Sequence, residues 1–508
     1  MSYLIGTDIG TSGTKTVLFD EMGNTVASAT YEYEMFQPQN GWAEQNPDDW
    51  WKAVYESIND VITKSGVKKE EIKGVGLSGQ MHGAVLIDRN GKVLRNAIIW
   101  CDQRTSQECI EITEKVGKER LISITANPAL TGFTASKILW IRNHEPAVYE
   151  KTYKILLPKD YIRYKLTGEF ASEVSDASGM QLMDIKNRTW SDEVLEKLDI
   201  DKSLLGKLYE SCEATGQISS SAASLTGLKE GTIVAGGAGD QAAGALGNGI
   251  VRKGIISSTI GTSGVVFAHS DTVMIDMKGR VHTFCHAVPG AWHIMGVTQG
   301  AGLSLKWFRD NFCYEQMEQA AMENIDPYII MDKMAREISI GSKGVIYLPY
   351  LMGERTPHLD PDARGVFFGL SASHTKANLI RAILEGVVFS LNDCMNIIKE
   401  MGIEATEVRA SGGGGRSALW RQMQADVFKT DITTINSKEG GALGVAILAG
   451  VASGVYEDVV STCDHIIKEK SRQSAIEENS VSYDQFYQLY KKLYVSLKDD
   501  FRHISNLI

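Results

Sequence analysis

Short apolar runs alternate with helical periodicities from one end of the chain to the other. Ile72–Leu77 and Ala84–Ile87 are aliphatic and β-branched stretches bounded by polar turns, and they read as strands. Pro47–Thr63 sets Trp50 and Trp51 on one face and predicts a helix. The alternation returns later, with Val345–Pro349 and Val408–Ala410 as strands and Ala377–Met401 and Ala418–Phe428 as helices. Gly440–Tyr456 is uncharged and about as long as a membrane span. It is rich in Gly and Ala and flanked by Glu439 and Glu457, so it predicts a buried core helix. Strands alternating with helices predict an α/β fold.

An internal echo gives that pattern an organisation. Residues 9–13 read Ile-Gly-Thr-Ser-Gly, and so do residues 260–264. Each copy follows a β-prone run (Tyr3–Ile5, Ile255–Ile260) and precedes another (Lys15–Asp20, Val265–His269). Two related halves are expected, each a layered lobe, with a cleft between them. Gly237–Gly249 suits the crossover, which puts the boundary between residues 1–245 and 246–508.

Composition narrows the class. A chain of 508 residues exceeds one ordinary core and suits two domains. The net charge of −11, with no basic stripe, argues against a nucleic-acid partner. Seven scattered cysteines without a CxxC pair fit a reducing compartment, and Asp8 interrupts the apolar core a signal peptide needs. A cytoplasmic protein with no membrane partner is expected. Glycine is frequent, at 49 residues against 10 prolines, which predicts tight turns and backbone lying close to a ligand.

Five motifs carry candidate chemistry. Asp8-Ile-Gly-Thr-Ser-Gly-Thr-Lys15 places N–H and hydroxyl donors on a strand-following turn, as phosphate oxygens require, and Asp8 is suited to hold hydrated Mg²⁺; the plain alternative is a hairpin turn. Gly261-Thr262-Ser263-Gly264 repeats that turn. Ser411-Gly-Gly-Gly-Gly-Arg-Ser417 lets main chain lie against a planar or anionic group, but lacks the Lys-Ser/Thr ending of a P-loop. Gly236-Gly-Ala-Gly-Asp240-Gln241 isolates one carboxylate, suited to accept a hydroxyl proton, with a helix N-cap as the competing role. Gly79-Gln-Met-His-Gly83 and Trp100-Cys-Asp-Gln-Arg104 follow apolar strands, where α/β proteins bind ligands, although a lone His82 is more often structural. His282, Cys285, His286 and His293 lack the spacing of a zinc site.

In this order the motifs resemble the FGGY carbohydrate kinases. Gly132-Phe-Thr-Ala-Ser-Lys137-Ile-Leu-Trp140 is similar to one family signature; Gly365-Val-Phe-Phe-Gly-Leu370 followed by Asn378–Glu385 is similar to the other. The resemblance implies two actin/hexokinase-like (ribonuclease H-like) lobes around a central active-site cleft, with ATP and Mg²⁺ as reactants and a homodimer as a frequent assembly. Gly79–Gly83, Leu157–Tyr161, Phe284–Ala287 and Tyr347–His358 are most similar to the members that phosphorylate D-xylulose.

Carried over by position, the resemblance implies Asp240 as general base and Asp8 as the carboxylate associated with Mg²⁺ through water. Met81, His82, Asp240 and Gln241 would contact the sugar. Thr11, Ser12, Gly13, Lys15 and Thr262 would face the phosphates, and Gly302, Lys306, Gly413 and Ser417 would lie around the nucleotide. Many D-xylulose-specific members carry Asn where this chain has Gln241, which leaves ribulose, fuculose, erythritol and glycerol as alternative acceptors. Glycerol-phosphorylating members carry an Arg-Glu pair at Met81-His82 and an aromatic near Gly132; their absence is expected to argue against glycerol. A non-catalytic sugar sensor on the same fold is the remaining alternative.

Overall fold

The computed structural model describes residues 1–437 and 439–507. Its first half is built on a seven-stranded mixed sheet. Strand β1 (Tyr3–Ile9) is central, with β2 (Gly13–Asp20) and β3 (Thr25–Glu32) antiparallel on one side. On the other side lie β4 (Ile72–Gly79), parallel to β1, then β6 (Ile233–Ala235) and β5 (Ala214–Gln217); β7 (Ala238–Gly239) pairs with the end of β4. The second half repeats this plan. Strand β8 (Ile255–Ile260) is flanked by antiparallel β9 (Gly264–Ser270), β11 (Trp292–Thr298) and β10 (His282–Cys285). On its other side come parallel β12 (Glu407–Gly412) and β13 (Ile432–Ile435), then β14 (Glu469–Gln473).

The sequence echo forms a hairpin turn in each sheet, one residue tighter in the second, where Ile260 pairs with Gly264 while Ile9 pairs with Thr14. Gly10 donates its N–H to the Gly13 carbonyl (3.0 Å), and Gly261 donates to the Ser263 carbonyl (3.0 Å). The element expectations hold to within four residues at each end; the largest misses are the strand from Tyr3, which runs on to Ile9, and the helix from Gly440, which stops at Ala452.

Local signals explain the helices that matter for the site. Helix α1 (Pro47–Ser65) is capped by Asn46, opens on Pro47 and stops at Gly66 in the left-handed region (φ 66°). It buries Trp50, Val54, Ile58 and Val61 against the first sheet. Helix α2 (Thr134–His144) carries the first signature. Helix α3 (Asp240–Gly247) fills the expected crossover, and α4 (Ala301–Phe312), α5 (Pro327–Arg336), α6 (Lys376–Glu400) and α7 (Ala418–Phe428) surround the second sheet.

Helix α8 (Gly440–Ala452) is apolar on all sides because it is enclosed. Although it comes late in the chain, it packs on β1 and β4 of the first sheet and against α3. A Cβ on Gly6 would stand 1.9 Å from the Ala442 carbonyl oxygen, and one on Gly444 would stand 2.0 Å from that of Ala243. Much of the glycine excess therefore serves helix–sheet and helix–helix contact, where the expectation was ligand approach. Among the described residues, no helix is long and apolar enough to cross a membrane.

Candidate active site

The parallel strands β1, β4 and β7 finish at one level. Asp8 pairs in register with Ser78 on β4, and Ala238 on β7 pairs with Ser78 from the other side. Chain leaving these ends carries Met81 and His82 after β4 and Asp240 after β7, so four expected site residues share one sheet edge.

Asp8 and Asp240 are the acidic pair of this edge. Asp8 Oδ1 accepts a hydrogen bond from Ser78 Oγ (2.7 Å), and burial pushes its carboxyl above the usual range. Asp240 is the first residue of α3, and the cap position belongs to Gly239, so the N-cap alternative does not apply. Its Oδ1 accepts the Gln241 N–H (2.8 Å), and the Gln241 amide reaches Oδ2 at 3.5 Å. Burial, then the charge of Asp8, push the Asp240 carboxyl up to about 7. A carboxylate poised there exchanges protons readily at neutral pH.

His82 is held in an unusual backbone conformation (φ 71°) by the first signature. Thr134 Oγ1 (3.1 Å) and Lys137 Nζ (2.9 Å) both donate to its carbonyl, and Phe133 lies against its ring at 4.5 Å. The aromatic expected to be missing beside Gly132 is therefore present as Phe133; only the Arg-Glu pair is absent. His82 Nδ1 lies 2.9 Å from the Gly179 carbonyl, which can only accept, so Nδ1 carries the proton. Burial lowers the His82 pKa to about 3, and the neutral ring keeps Nε2 as a lone-pair acceptor. Met81 is buried against Gly239 and Gly179, where an added Cβ would come within 2.9 and 3.2 Å of its side chain.

The first turn is braced from outside its own hairpin. Trp100 Nε1 donates to Thr11 Oγ1 (2.9 Å) and Gln45 Nε2 to the Thr11 carbonyl (2.7 Å). Ser12 is exposed, and Gly13 brings β2 so close to Tyr31 that a Cβ would stand 2.6 Å from its carbonyl oxygen. Lys15 forms an ion pair with Glu439 at the start of α8 (2.5 Å).

The second turn borders a cavity of about 670 Å³ that gathers Thr262, Gly302, Lys306, Gly413 and Ser417. Gly302 and Leu303, at the start of α4, donate N–H groups to the carbonyls of Gly261 and Thr262 (2.9 and 3.0 Å). Ser417 caps α7 by accepting the Trp420 N–H (3.0 Å) and donates to Asp332 (2.5 Å), while Lys306 pairs with Asp310 (2.7 Å). Thr11, Ser12, Gly13 and Lys15 are not among the residues lining this cavity. Tyr328 and Asp332, from α5, line it without having been anticipated; their helix carries no small-residue motif.

The four residues set aside as a zinc site are engaged otherwise, Cys285 Sγ lying 3.7 Å from the Ile185 carbonyl. His282 Nδ1 bonds Asn127 Oδ1 (2.7 Å), His286 Nε2 donates to the Ile250 carbonyl (3.0 Å), and His293 stacks on Phe267 (4.2 Å). Among the described residues, no three His, Cys, Asp or Glu side chains are grouped to hold a metal.

Residues 3–247 match the N-terminal domain, and residues 256–453 the C-terminal domain, of the FGGY family of carbohydrate kinases. The chain belongs to that family. It is a sugar phosphotransferase with the family's two-domain, actin/hexokinase-like fold. It is 38% identical over 499 residues to the xylulose kinase of Bacillus subtilis (strain 168), covering 98% of each chain. A gluconokinase of Bacillus licheniformis is 34% identical over 509 residues, covering 99% of this chain and 98% of its own. The crystal structure of a ligand-bound xylulose kinase from Lactobacillus acidophilus superposes with a TM-score of 0.91 at 27% identity, over 99% of this chain and 100% of that one.

Proposed function

We propose that this FGGY kinase transfers the γ-phosphoryl group of ATP to the terminal hydroxyl of an open-chain ketopentose, D-xylulose, in the cytoplasm. The observation that carries the reading is Asp240: a carboxylate with a pKa near 7, in no ion pair among the described residues, at the strand ends that also hold Met81 and His82. Asp240 orients the acceptor hydroxyl and takes its proton as the oxygen bonds to phosphorus and the ADP oxygen departs. His82 Nε2 accepts a sugar hydroxyl, Gln241 offers its amide, and Met81 with Phe133 walls the chain of carbons. The cavity beside Thr262 takes the nucleotide, and the two hairpin turns meet its phosphates. The seven free cysteines support the reducing compartment.

The residues fit Mg²⁺ at Asp8. One carboxylate oxygen is engaged by Ser78 and the other has no hydrogen bond among the described residues; Gly441 lies so near that a Cβ there would crowd that oxygen at 3.3 Å. A hydrated Mg²⁺ bound there supplies counter-charge to the phosphates. The test is ADP release with Mg-ATP across D-xylulose, D-ribulose, L-ribulose, L-fuculose, erythritol, glycerol and no sugar. Turnover on D-xylulose about tenfold above the rest supports the reading. A different winner reassigns the pocket around Met81, His82 and Gln241.

A further inference from the structure

The turn Glu354-Arg355-Thr356 is fixed on every side through its backbone and its outer residues. The Glu354 carboxylate accepts from Thr298 Oγ1 (2.6 Å), Ser390 Oγ (3.2 Å) and the N–H groups of Gln299 (3.0 Å) and Arg355 (2.7 Å). Thr356 donates its N–H to the Val297 carbonyl (2.9 Å) and its hydroxyl to the Arg280 carbonyl (2.8 Å). This ties the turn to β11 and to the chain just before His282 on β10.

The Arg355 guanidinium stands in contrast. It makes no hydrogen bond or ion pair with any described residue, although the side chain is half-buried. The neighbouring Glu354 carboxylate is an opposite charge, but it is taken up by four other donors, so the half-buried guanidinium keeps its own N–H groups without a direct partner and the position suits a ligand. Its surroundings identify the place. The Arg355 charge helps to keep His82 and His282 neutral, and those rings lie around Phe133, at 4.5 and 5.8 Å.

The two histidines also limit what the ligand presents. Asn127 Nδ2 donates to the carbonyls of Thr125 (3.0 Å) and Thr283 (3.1 Å), so its Oδ1 accepts and His282 Nδ1 carries the proton. His282 and His82 therefore both offer Nε2 as an acceptor. They take sugar hydroxyls and offer no proton to a carbonyl oxygen. Arg355 supplies the missing donors, in a planar fork that matches a planar C=O group.

We propose that Arg355 is a substrate-binding residue that anchors the end of the sugar remote from the reacting hydroxyl, and that the group it takes is a C=O oxygen. Two sources present that chemistry: the carbonyl of a ketose and the carboxylate of a linear aldonate. The proposal rests on the sugar-kinase reading and adds a determinant contributed by the second half of the chain.

The experiment compares wild type, Arg355→Met and Arg355→Lys on D-xylulose, on xylitol, which lacks the carbonyl, and on D-xylonate and D-gluconate. Arg355→Met is expected to raise the D-xylulose KM about 10- to 100-fold, with kcat and the ATP KM changed far less. The wild-type preference for D-xylulose over xylitol should shrink by the same factor, and Arg355→Lys should restore part of it. Arg355-dependent turnover of, or competitive inhibition by, the aldonates identifies the carboxylate source; dependence confined to D-xylulose identifies the ketone. An unchanged KM and an unchanged ketose-to-alditol preference in a folded Arg355→Met overturn the proposal. If wild type turns over no sugar, the functional reading fails instead. Arg355 is then judged by whether D-gluconate raises the thermal midpoint of wild type and not of Arg355→Met; equal responses overturn it.

Discussion

Burial and the charge of Asp8 lift Asp240 to a pKa of about 7, whereas an aspartate in an unfolded chain titrates near ~3.9. The folded state thus binds this proton more tightly. Below about pH 4 both states hold the proton, and the group contributes no difference. As pH rises from about 4 to 7 the unfolded chain releases its proton first, so stability falls, and above 7 the full penalty stands. A shift of about three units corresponds to about 4 kcal/mol. Because Asp240 opens into a cleft that water reaches, about half of that is the better figure. Asp240→Asn keeps the shape and removes the titration. The variant should unfold about 4 °C above wild type at pH 8, with the difference shrinking to about a third at pH 5 and vanishing below about pH 4. It should also lose sugar-dependent turnover while binding ATP within a few-fold of wild type, and wild-type kcat/KM should fall as pH drops below about 7. The assay is thermal unfolding of ligand-free protein by circular dichroism from pH 4 to 8. A difference that stays flat with pH, or a variant less stable at pH 8, would refute the reasoning.

Three further outcomes are expected. Lys137→Met removes one of the two donors on the His82 carbonyl, and should raise the sugar KM about tenfold while leaving the ATP KM alone, as initial rates will show. Asp8→Asn should raise the Mg²⁺ concentration for half-maximal rate by about 10-fold or more, read by titrating Mg²⁺ at fixed ATP. Gly6→Ala drives a Cβ against the Ala442 carbonyl, where backbone meets backbone and no rotamer relieves the clash. It should cost about 3 kcal/mol and lower the thermal midpoint by about 6 °C or more.

The parts of the site legible in sequence are those whose chemistry is local. The two Ile-Gly-Thr-Ser-Gly turns are legible because hairpin geometry depends on four or five consecutive residues. Ser411–Ser417 is legible as a glycine run opening a helix, and Asp240 because it is the sole charge among small residues. What escaped is tertiary. Phe133 was overlooked as an aromatic because its meaning lies in contact with His82, and Lys137 gains its role only once its Nζ meets that residue's carbonyl. The glycine count was assigned to ligand approach because composition cannot distinguish a phosphate from a helix backbone. Gly6 and Gly444 touch elements that sequence separation hides. Asp332 reaches the nucleotide-sized cavity from an ordinary amphipathic helix, whose pattern reads as packing.

The distribution of unfavourable features argues for function apart from any family. Most buried charges in this chain are answered: Arg104 by Asp102 and Glu44, Arg163 by Asp160, Arg381 by Glu385. Asp393, held only by Tyr487, is an exception elsewhere, and three more belong to the candidate site. Among the described residues Asp240 forms no ion pair, the Arg355 guanidinium has no hydrogen bond or ion pair, and His82 sits at a positive φ held by Thr134 and Lys137. Behind them, Asp176 is answered only by Lys159 Nζ at 3.6 Å, with no hydrogen bond to either oxygen, next to Ser175, whose hydroxyl accepts the Gly239 N–H beside Asp240. Each feature alone costs stability and recommends nothing. A chain whose other choices agree with its fold keeps several such costs in one place when a ligand relieves them. A sugar whose hydroxyl meets Asp240 and whose C=O end meets Arg355 relieves two at once, and the Asp240→Asn and Arg355→Met experiments measure the two ends separately.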